Sequence, residues 1–118
     1  MSDRVHNYLR AYRKRAGLSQ DELAFLLGCK NGSKVSRYER LERRPTLETI
    51  LAYEVVLGVH ARDLFAALYR QVEADTKPRV QLLLHKVSDS NPGPLTARKL
   101  QTLQTAAFGG LTESAREA

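Results

Sequence analysis

Apolar residues recur at helical spacing along most of the chain, and no segment keeps the two-residue alternation of a strand. The first stripe predicts a helix over about residues 3–16, ended by Gly17, because glycine tolerates the left-handed conformation after a helix end. Its apolar positions are Val5, Leu9, Tyr12 and Ala16. The chain is therefore expected to begin its folded part with a helix.

A second helix is expected over residues 20–27. Ser19 and Glu22 have the spacing of a capping box, in which each side chain bonds the other residue's backbone N–H. Gly28 ends this helix, and the short stretch 28–32 forms a turn. Because the turn is short, the second helix and the third must pack beside each other.

The third helix is expected over about residues 33–41, with Asn31 or Ser33 as its cap. Its apolar positions, Val35 and Tyr38, face inward on this spacing. Three basic residues face outward: Lys34, Arg37 and Arg40.

Two more helices complete the predicted domain. Pro45 opens a fourth helix that Gly58 ends. Its predicted inward positions are Leu47, Ile50, Leu51, Val55 and Leu57. A fifth helix begins near Ala61, and its apolar positions are Leu64, Phe65, Leu68, Tyr69 and Val72.

The remaining chain predicts a short helical extension. Pro78 opens a helix with an apolar face at Val80, Leu83, Leu84 and Val87, and residues 88–94 form a linker. Thr96 caps a last helix carrying Leu100, Leu103 and Ala107. The expected organisation is an all-α domain over residues 1–74, a dimerisation or docking extension over 75–108, and a flexible tail over 109–118.

Charge is concentrated in the first part of this organisation. The net charge is +6, and residues 1–44 hold eleven Lys/Arg and five Asp/Glu, so this stretch alone carries all of it. From Pro45 onward eight bases meet eight acids. A basic region beside a neutral one is typical of a polyanion binder, and a solvated basic face is the alternative.

Other chemistries are not indicated. Cys29 is the only cysteine, which excludes an internal disulfide and favours a buried small hydrophobe in a reducing cytoplasm. His6, His60 and His85 have no metal-ligand spacing, and no carboxylate pair suggests acid–base catalysis. No long apolar run and no secretory signal are present, so no contact with a membrane is expected. Since no residue pattern suggests catalysis or a ligand site, no enzyme activity, cofactor or small-molecule ligand is expected either.

Two short helices joined by a tight turn, the second presenting bases outward, are typical of a helix-turn-helix. A helix fits the major groove, where base edges differ in their donors and acceptors, while its neighbour lies across the phosphate backbone. The second and third predicted helices fit this arrangement, with the motif at about residues 20–41.

The stretch from Leu9 to Phe65 resembles the helix-turn-helix domain of the phage repressor and Cro family, the Xre-type regulators. The matching pieces, in order, are Gly17-Leu18-Ser19-Gln20, Glu22-Leu23-Ala24, Leu27-Gly28, Val35-Ser36-Arg37-Tyr38-Glu39, Pro45-Thr46-Leu47-Glu48-Thr49, Leu57-Gly58-Val59 and Asp63-Leu64-Phe65. The resemblance implies a five-helix fold and a bacterial or phage regulator that binds double-stranded DNA as a homodimer.

The resemblance also assigns residues. The base-facing positions are Gly32, Ser33, Lys34 and Arg37. The phosphate-contacting positions are Gln20, Lys30, Asn31, Arg40, Arg43 and Arg44. Arg13 and Glu39 match a structural ion pair between the first and third helices, because a buried charge is tolerated mainly beside its partner.

The chain departs from the family pattern at several places. The turn before Val35 is one residue longer than usual, and Arg40-Leu41 replaces the usual Asn-Gly, which predicts a longer third helix. Glu54 stands where a small residue is usual, and we expect it to be partly buried beside an arginine. Phe25 and Leu26 occupy positions that are usually polar, so we expect them to pack against the extension or a partner subunit.

The leading interpretation is a sequence-specific regulator that occludes or recruits at its site. Two alternatives stay open: a protein-interaction module such as an antitoxin-like adaptor, and a sequence-indifferent, chromatin-like binder. The localised charge favours DNA binding, and the exposed apolar pair mildly favours the adaptor.

Overall fold

The computed structural model describes residues 7–109, which form seven α-helices and no strand. The helices are α1 (Leu9–Arg15), α2 (Gln20–Leu27), α3 (Ser33–Glu39), α4 (Leu47–Leu57), α5 (Ala61–Leu64), α6 (Ala66–Ser88) and α7 (Pro94–Phe108). The chain divides into two compact units, one up to Arg70 and one from Gln71. The expected all-α fold of five helices followed by a helical extension is confirmed.

Helix α1 begins at Leu9, later than predicted, with Tyr8 as its N-cap residue and Asn7 just before it. The Asn7 Oδ1 accepts a hydrogen bond from the backbone N–H of Leu9 (3.1 Å), and its Nδ2 donates to the carbonyl of Tyr38 (3.0 Å). One side chain thus both bonds the first residue of α1 and ties the helix to α3. The predicted first turn at Asp3 and Val5 lies outside the described residues.

Helix α2 has the predicted bounds. Ser19 Oγ accepts from the N–H of Glu22 (3.0 Å), and Glu22 Oε1 accepts from the N–H of Ser19 (2.9 Å), which completes the capping box. At the other end Gly28 has φ +79°, the left-handed conformation that a side chain rarely adopts.

Helix α3 is shorter than predicted and ends at Glu39. Leu41 takes the left-handed conformation (φ +63°) in which helices usually place glycine. Its N–H donates to the carbonyl of Tyr38, and the N–H of Glu42 donates to the carbonyl of Arg37. These two bonds form a Schellman motif, so a leucine ends the helix in the way that glycine normally does.

The core of the first unit is built by all five of its short helices. Its buried members are Leu9, Leu23, Ala24, Val35, Tyr38, Tyr53 and Leu64. The rings of Tyr38 and Tyr53 pack edge to face, with centroids 6.4 Å apart. The hydroxyl of Tyr53 is buried and has no hydrogen-bond partner among residues 7–109.

The prediction of the buried face of α4 was wrong for three of its five residues, whereas Leu57 packs against the core as predicted. The helix begins at Leu47 and not at Pro45, and Thr46 caps it by accepting from the N–H of Thr49. Its one fully buried residue is Tyr53. Three predicted core residues form instead an exposed row, which we call the α4 ridge: Leu47 (67% exposed), Leu51 (50%) and Val55 (84%).

The next helix depends on α4. Glu54 accepts a hydrogen bond from the backbone N–H of Ala61, the first residue of α5. The expected arginine partner is therefore replaced by a helix N-terminus, where a negative charge is favourable. The helix is interrupted at Phe65, and α6 begins at Ala66. The single helix predicted for this region is therefore two helices.

In the second unit, α6 runs without interruption past Pro78, which does not start a helix. The predicted inward residues Tyr69 and Val72 are exposed, as is Leu83. Pro94, not the predicted Thr96, occupies the first turn of α7. Among residues 71–109 of this unit, the buried side chains are Val87 and Ala107. The predicted flexible tail lies outside the described residues from Gly110 on.

Candidate nucleic-acid interface

Helices α2 and α3 are joined by a turn that a side chain of α2 holds in place. Asp21 Oδ1 accepts a hydrogen bond from the backbone N–H of Gly32 at 2.7 Å. Asn31 Oδ1 accepts from the N–H of Ser33 at 2.9 Å, but the N-cap residue of α3 is Gly32, and neither of the predicted caps, Asn31 or Ser33, occupies that position. The start of α3 is thus fixed both by its own turn and by α2.

Gly32 is buried where the two helices meet, which contradicts its predicted base-facing position. A Cβ built on Gly32 would lie 2.8 Å from Asp21 Oδ1 and 3.1 Å from the backbone carbon of Gln20. The φ of Gly32 is an ordinary −72°. Glycine is therefore required by the close approach of α2, and not by backbone conformation.

The outer side of α3 is free of the rest of the first unit. Ser33, Lys34 and Arg37 are exposed, whereas Val35 and Tyr38 are buried in the core. This division is compatible with the 3.6-residue period, which places positions 34 and 37 on one face of the helix and 35 and 38 on the adjoining face. Two cations therefore project from the same exposed face.

An open cleft lies beside this face and is lined by α1, α2, α3 and the α2–α3 turn. Its lining residues are Arg10, Arg13, Ser19, Gln20, Asp21, Asn31, Gly32, Ser33, Ser36, Arg37, Glu39 and Arg40. Most are polar or charged, and several predicted DNA-contacting residues come together here.

A nearly buried ion pair forms the floor of the cleft. Arg13 Nε donates to Glu39 Oε2 at 2.6 Å, and Arg13 Nη2 donates to Glu39 Oε1 at 3.2 Å. The two side chains are 8% and 4% exposed. The hydrogen bond to Glu39 raises the pKa of Arg13, so this arginine stays protonated. Arg13 also donates to the carbonyl of Leu18 (2.9 Å), which joins α1, α3 and the start of α2.

Gln20 belongs partly to the same network. Its Nε2 donates to Glu39 Oε1 at 3.2 Å. The capping box uses the backbone N–H groups of Ser19 and Glu22, while the N–H groups of Gln20 and Asp21 bond no group within residues 7–109. These two amides lie at the positive end of the α2 dipole.

The remaining predicted phosphate contacts surround this centre. Arg40 is bound within the chain, since its Nη1 lies 3.3 Å from Glu42 Oε2 and its Nε donates to the carbonyl of Ser36. Lys30, Arg43 and Arg44 are exposed in the turns before α3 and after it. Basic side chains thus flank α3 at both ends.

The apolar pair on α2 lies outside the cleft. Phe25 is 80% exposed and Leu26 47%, and with Leu18 they line a separate shallow depression beside Glu22. What covers these two residues stays a prediction. Cys29, close by in sequence, packs against the core.

Two functional residues were missed by sequence reasoning. Asp21 holds the turn by bonding a backbone N–H 11 residues away, and Asn7 joins α1 to α3 by bonding a backbone carbonyl 31 residues away. A backbone partner has no residue identity, so no pair in the sequence signals the contact. The one signal that could have found them is the tendency of Asp and Asn side chains to bond backbone groups near helix ends.

Other site types are not found in the described part of the chain. Within residues 7–109 no group of His, Cys, Asp or Glu is arranged to hold a metal ion. No helix there is both long and apolar enough to cross a membrane.

The comparison with known families agrees with this geometry. Residues 9–64 match the family model described as Helix-turn-helix, and the match runs from the first residue of α1 to the last residue of α5. No curated protein and no solved structure matches the chain. The resemblance found from the sequence motifs is confirmed.

Proposed function

Since residues 9–64 belong to the Xre-type, phage-repressor-like helix-turn-helix family, we propose that the chain is a sequence-specific transcriptional regulator acting in a bacterial or phage setting. It carries a DNA-binding domain of that family. Its proposed mechanism is binding of double-stranded DNA in the cytoplasm, with occlusion or recruitment at the site and no catalysis.

One observation carries this proposal: the outer face of α3 is exposed and cationic. Lys34 and Arg37 are exposed on α3 while Val35 and Tyr38 hold the helix in the core, so α3 can enter the major groove without rearrangement of the core. A guanidinium bonds guanine O6 and N7 in two-pronged fashion. We therefore assign base reading to Arg37 first, with Lys34 and Ser33 beside it.

The groups around α3 suit the phosphate backbone. Gln20 offers a backbone N–H at the start of α2, and helix N-termini bind anions through such amides. Lys30, Arg43 and Arg44 add exposed positive charge at the two ends of α3. Asn31 is assigned to the same backbone, and Arg40 contacts it after exchanging its bond to Glu42 for a phosphate. Such contacts fix register without reading sequence.

Binding as a homodimer follows from the limited reach of one recognition helix. Two copies double the base contacts across half-sites about one helical turn apart. The extension over 75–108 is proposed to support this assembly, because α7 and the part of α6 beyond Gln71 bury few side chains. Helices with so little buried surface gain stability from a further partner.

Selection from a random pool of duplexes tests the proposal directly. We expect a high-affinity set of related sequences above a salt-sensitive background. Arg37→Ala should lower affinity for the selected site by about 1–3 kcal/mol and relax preference at one position. The double variant Arg43→Ala, Arg44→Ala should weaken all sequences alike and flatten the salt dependence.

The controls separate reading from general charge loss. Lys99→Ala removes a positive charge from exposed α7 and should leave selectivity unchanged. If Arg37→Ala keeps the wild-type selectivity, α3 does not read the bases through Arg37 as proposed. If wild type selects no sequence but binds all DNA, the chain is a sequence-indifferent binder.

The exposed Phe25 and Leu26 favour a second candidate, a protein-interaction module or antitoxin-like adaptor with weak DNA binding. An apolar surface on an otherwise polar helix is typical of a protein contact. Under this alternative Phe25→Glu abolishes binding of a partner protein while Arg37→Ala leaves it unchanged. Under the leading proposal Arg37→Ala, and not Phe25→Glu, removes the preference for the selected DNA site.

A further inference from the structure

The α4 ridge is an apolar surface that the DNA-binding function does not use. Leu47, Leu51 and Val55 are four residues apart, so they form one continuous row about 12 Å long on the side of α4 opposite Tyr53. Such a row on a helix is normally turned toward a core. Here the core is built from the other side of the helix, and the row is left open.

We infer that the α4 ridge is a surface where two copies of this chain meet while both are bound to DNA. The inference rests on the proposed function, because two half-sites on one DNA duplex bring the second copy close to the first. It adds to that proposal a named contact surface within the DNA-binding domain itself, separate from the extension.

The shape of the ridge suits a second copy. Rows of residues four apart on two helices interdigitate in the commonest packing of helices in globular proteins. A two-fold axis beside Leu51 sets this residue against its own copy and sets Leu47 against Val55 of the second copy. The surface is therefore complementary to itself.

The charge distribution favours the same occupant. Residues 1–44 carry a net charge of +6, so two copies that approach through that part of the domain repel each other. Helix α4 contains no Lys or Arg, and its charged residues are Glu48 and Glu54. Of these, Glu54 is bound to the N–H of Ala61. The ridge thus offers contact between copies away from the basic surface.

The ridge is too small to hold two free copies together, so the contact is expected only between copies on the same DNA. A stable interface buries about 800 Å² on each partner. One face of an 11-residue helix, about 16 Å long and about 10 Å wide, offers much less than this. Two copies on adjacent half-sites have an effective concentration in the millimolar range, which is enough to populate a weak contact. The ridge is therefore expected to act as a source of cooperative DNA binding.

A crosslinking experiment tests the contact. Cys29 is the only cysteine, so Cys29→Ala combined with Leu51→Cys places one thiol at the centre of the ridge. The matched control is Cys29→Ala with Ala11→Cys, an exposed position on a different helix. Each protein is treated with a short bismaleimide on the selected duplex with two half-sites and on a duplex with one half-site.

We expect the Leu51→Cys protein to form about tenfold more crosslinked dimer on two half-sites than on one, and the control to show no such gain. Equal crosslinking of both proteins indicates random collision and overturns the inference. A Leu51→Cys thiol that is protected from the reagent without crosslinking shows that another part of the chain or another protein covers the ridge, which also overturns it.

A binding experiment adds an independent measurement. Leu51→Ser should lower affinity for the duplex with two half-sites about tenfold while binding to a single half-site stays unchanged. Ala11→Ser, at an exposed position of α1, should change neither affinity. An equal loss on both duplexes assigns Leu51 a purely structural role and refutes the inference.

The outcomes also separate this inference from the proposed function. If wild type selects no sequence, the proposed function fails, and the ridge is then tested by crosslinking of free protein at millimolar concentration. If wild type selects a site but Leu51→Ser binds it with undiminished cooperativity, only the ridge contact fails.

Discussion

The ion pair between Arg13 and Glu39 gives the sharpest test of how the DNA-binding domain is held together. Replacing Arg13 by methionine keeps much of the side chain's length and apolar character but removes all of its hydrogen bonds. Glu39, which is 4% exposed, would then keep only Gln20 as a side-chain partner. A buried carboxylate without its counter-charge is strongly unfavourable.

The expected loss can be worked from these contacts. Arg13→Met removes two charge-assisted hydrogen bonds to Glu39 and one bond to the carbonyl of Leu18. Breaking a buried pair by removing one member costs about 3–5 kcal/mol, mainly because the remaining charge is unpaired. For a domain of this size each kcal/mol lowers the Tm by about 4–8 °C. A Tm at least about 12 °C lower is therefore expected.

Urea denaturation followed by circular dichroism measures the loss, and a second variant tests its cause. Arg13→Met combined with Glu39→Gln replaces the unpaired carboxylate by a neutral amide, so it should recover part of the lost free energy of unfolding. Lys14→Ala is the matched control, since it removes an exposed positive charge from the same helix. Its free energy of unfolding should change by no more than about 0.5 kcal/mol.

The contribution of Arg13 to the free energy of unfolding should not depend on pH near neutrality. The pKa of Arg13 is raised by Glu39, and a cation with a raised pKa loses its contribution only as the pH rises through that higher value. No such loss is expected near neutral pH. If the double variant is no more stable than Arg13→Met alone, the unpaired carboxylate is not the cause of the loss and the reasoning is wrong.

Three further predictions concern single residues. Gly32→Ala should lower the free energy of unfolding by about 1–3 kcal/mol, because its Cβ would meet Asp21 and the backbone of α2, whereas Gly93→Ala, with open space and extended backbone, should change it little in the same thermal melts. Leu41→Gly should raise it by up to about 1 kcal/mol in urea titrations by relieving the left-handed leucine, and a decrease would show that the leucine side chain contributes more than the strain. Burial raises the pKa of Tyr53 above its ordinary 10.0, so the unfolded chain releases this proton first and stability should fall as the pH rises above about 10, by at most about 1.4 kcal/mol per pH unit. Tyr53→Phe should remove that part of the slope, and identical slopes for the two proteins would contradict the assignment.

The parts of the fold that the sequence predicted best are those with local signals. The bounds of α2 follow from Ser19, Glu22 and Gly28, all of which act within one helix. The ion pair between Arg13 and Glu39 was expected from the family resemblance, and the structure places the two side chains together. Local capping and a family motif together were enough to locate α2, α3 and the exposed face of α3.

The errors arose where the deciding contact is distant or where periodicity has two readings. Helix α4 is apolar on nearly every side, so its spacing did not distinguish the face of Tyr53 from that of Leu51. Pro78 was interpreted as a helix start, although a long helix can continue through a proline when the surrounding turns hold it. Glu54 bonds a backbone amide, which no residue pairing in the sequence can indicate.

The capping box at the start of α2 has a consequence for how specificity can change. It leaves the main-chain amides of Gln20 and Asp21 as donors, and every amino acid except proline supplies an identical group at these places. The grip on a phosphate that they would provide therefore survives almost any replacement of the side chains. If α3 reads DNA as proposed, Lys34 and Arg37 could be exchanged for other residues while these two amides still contact the phosphate, so a new operator sequence would not require a new anchor.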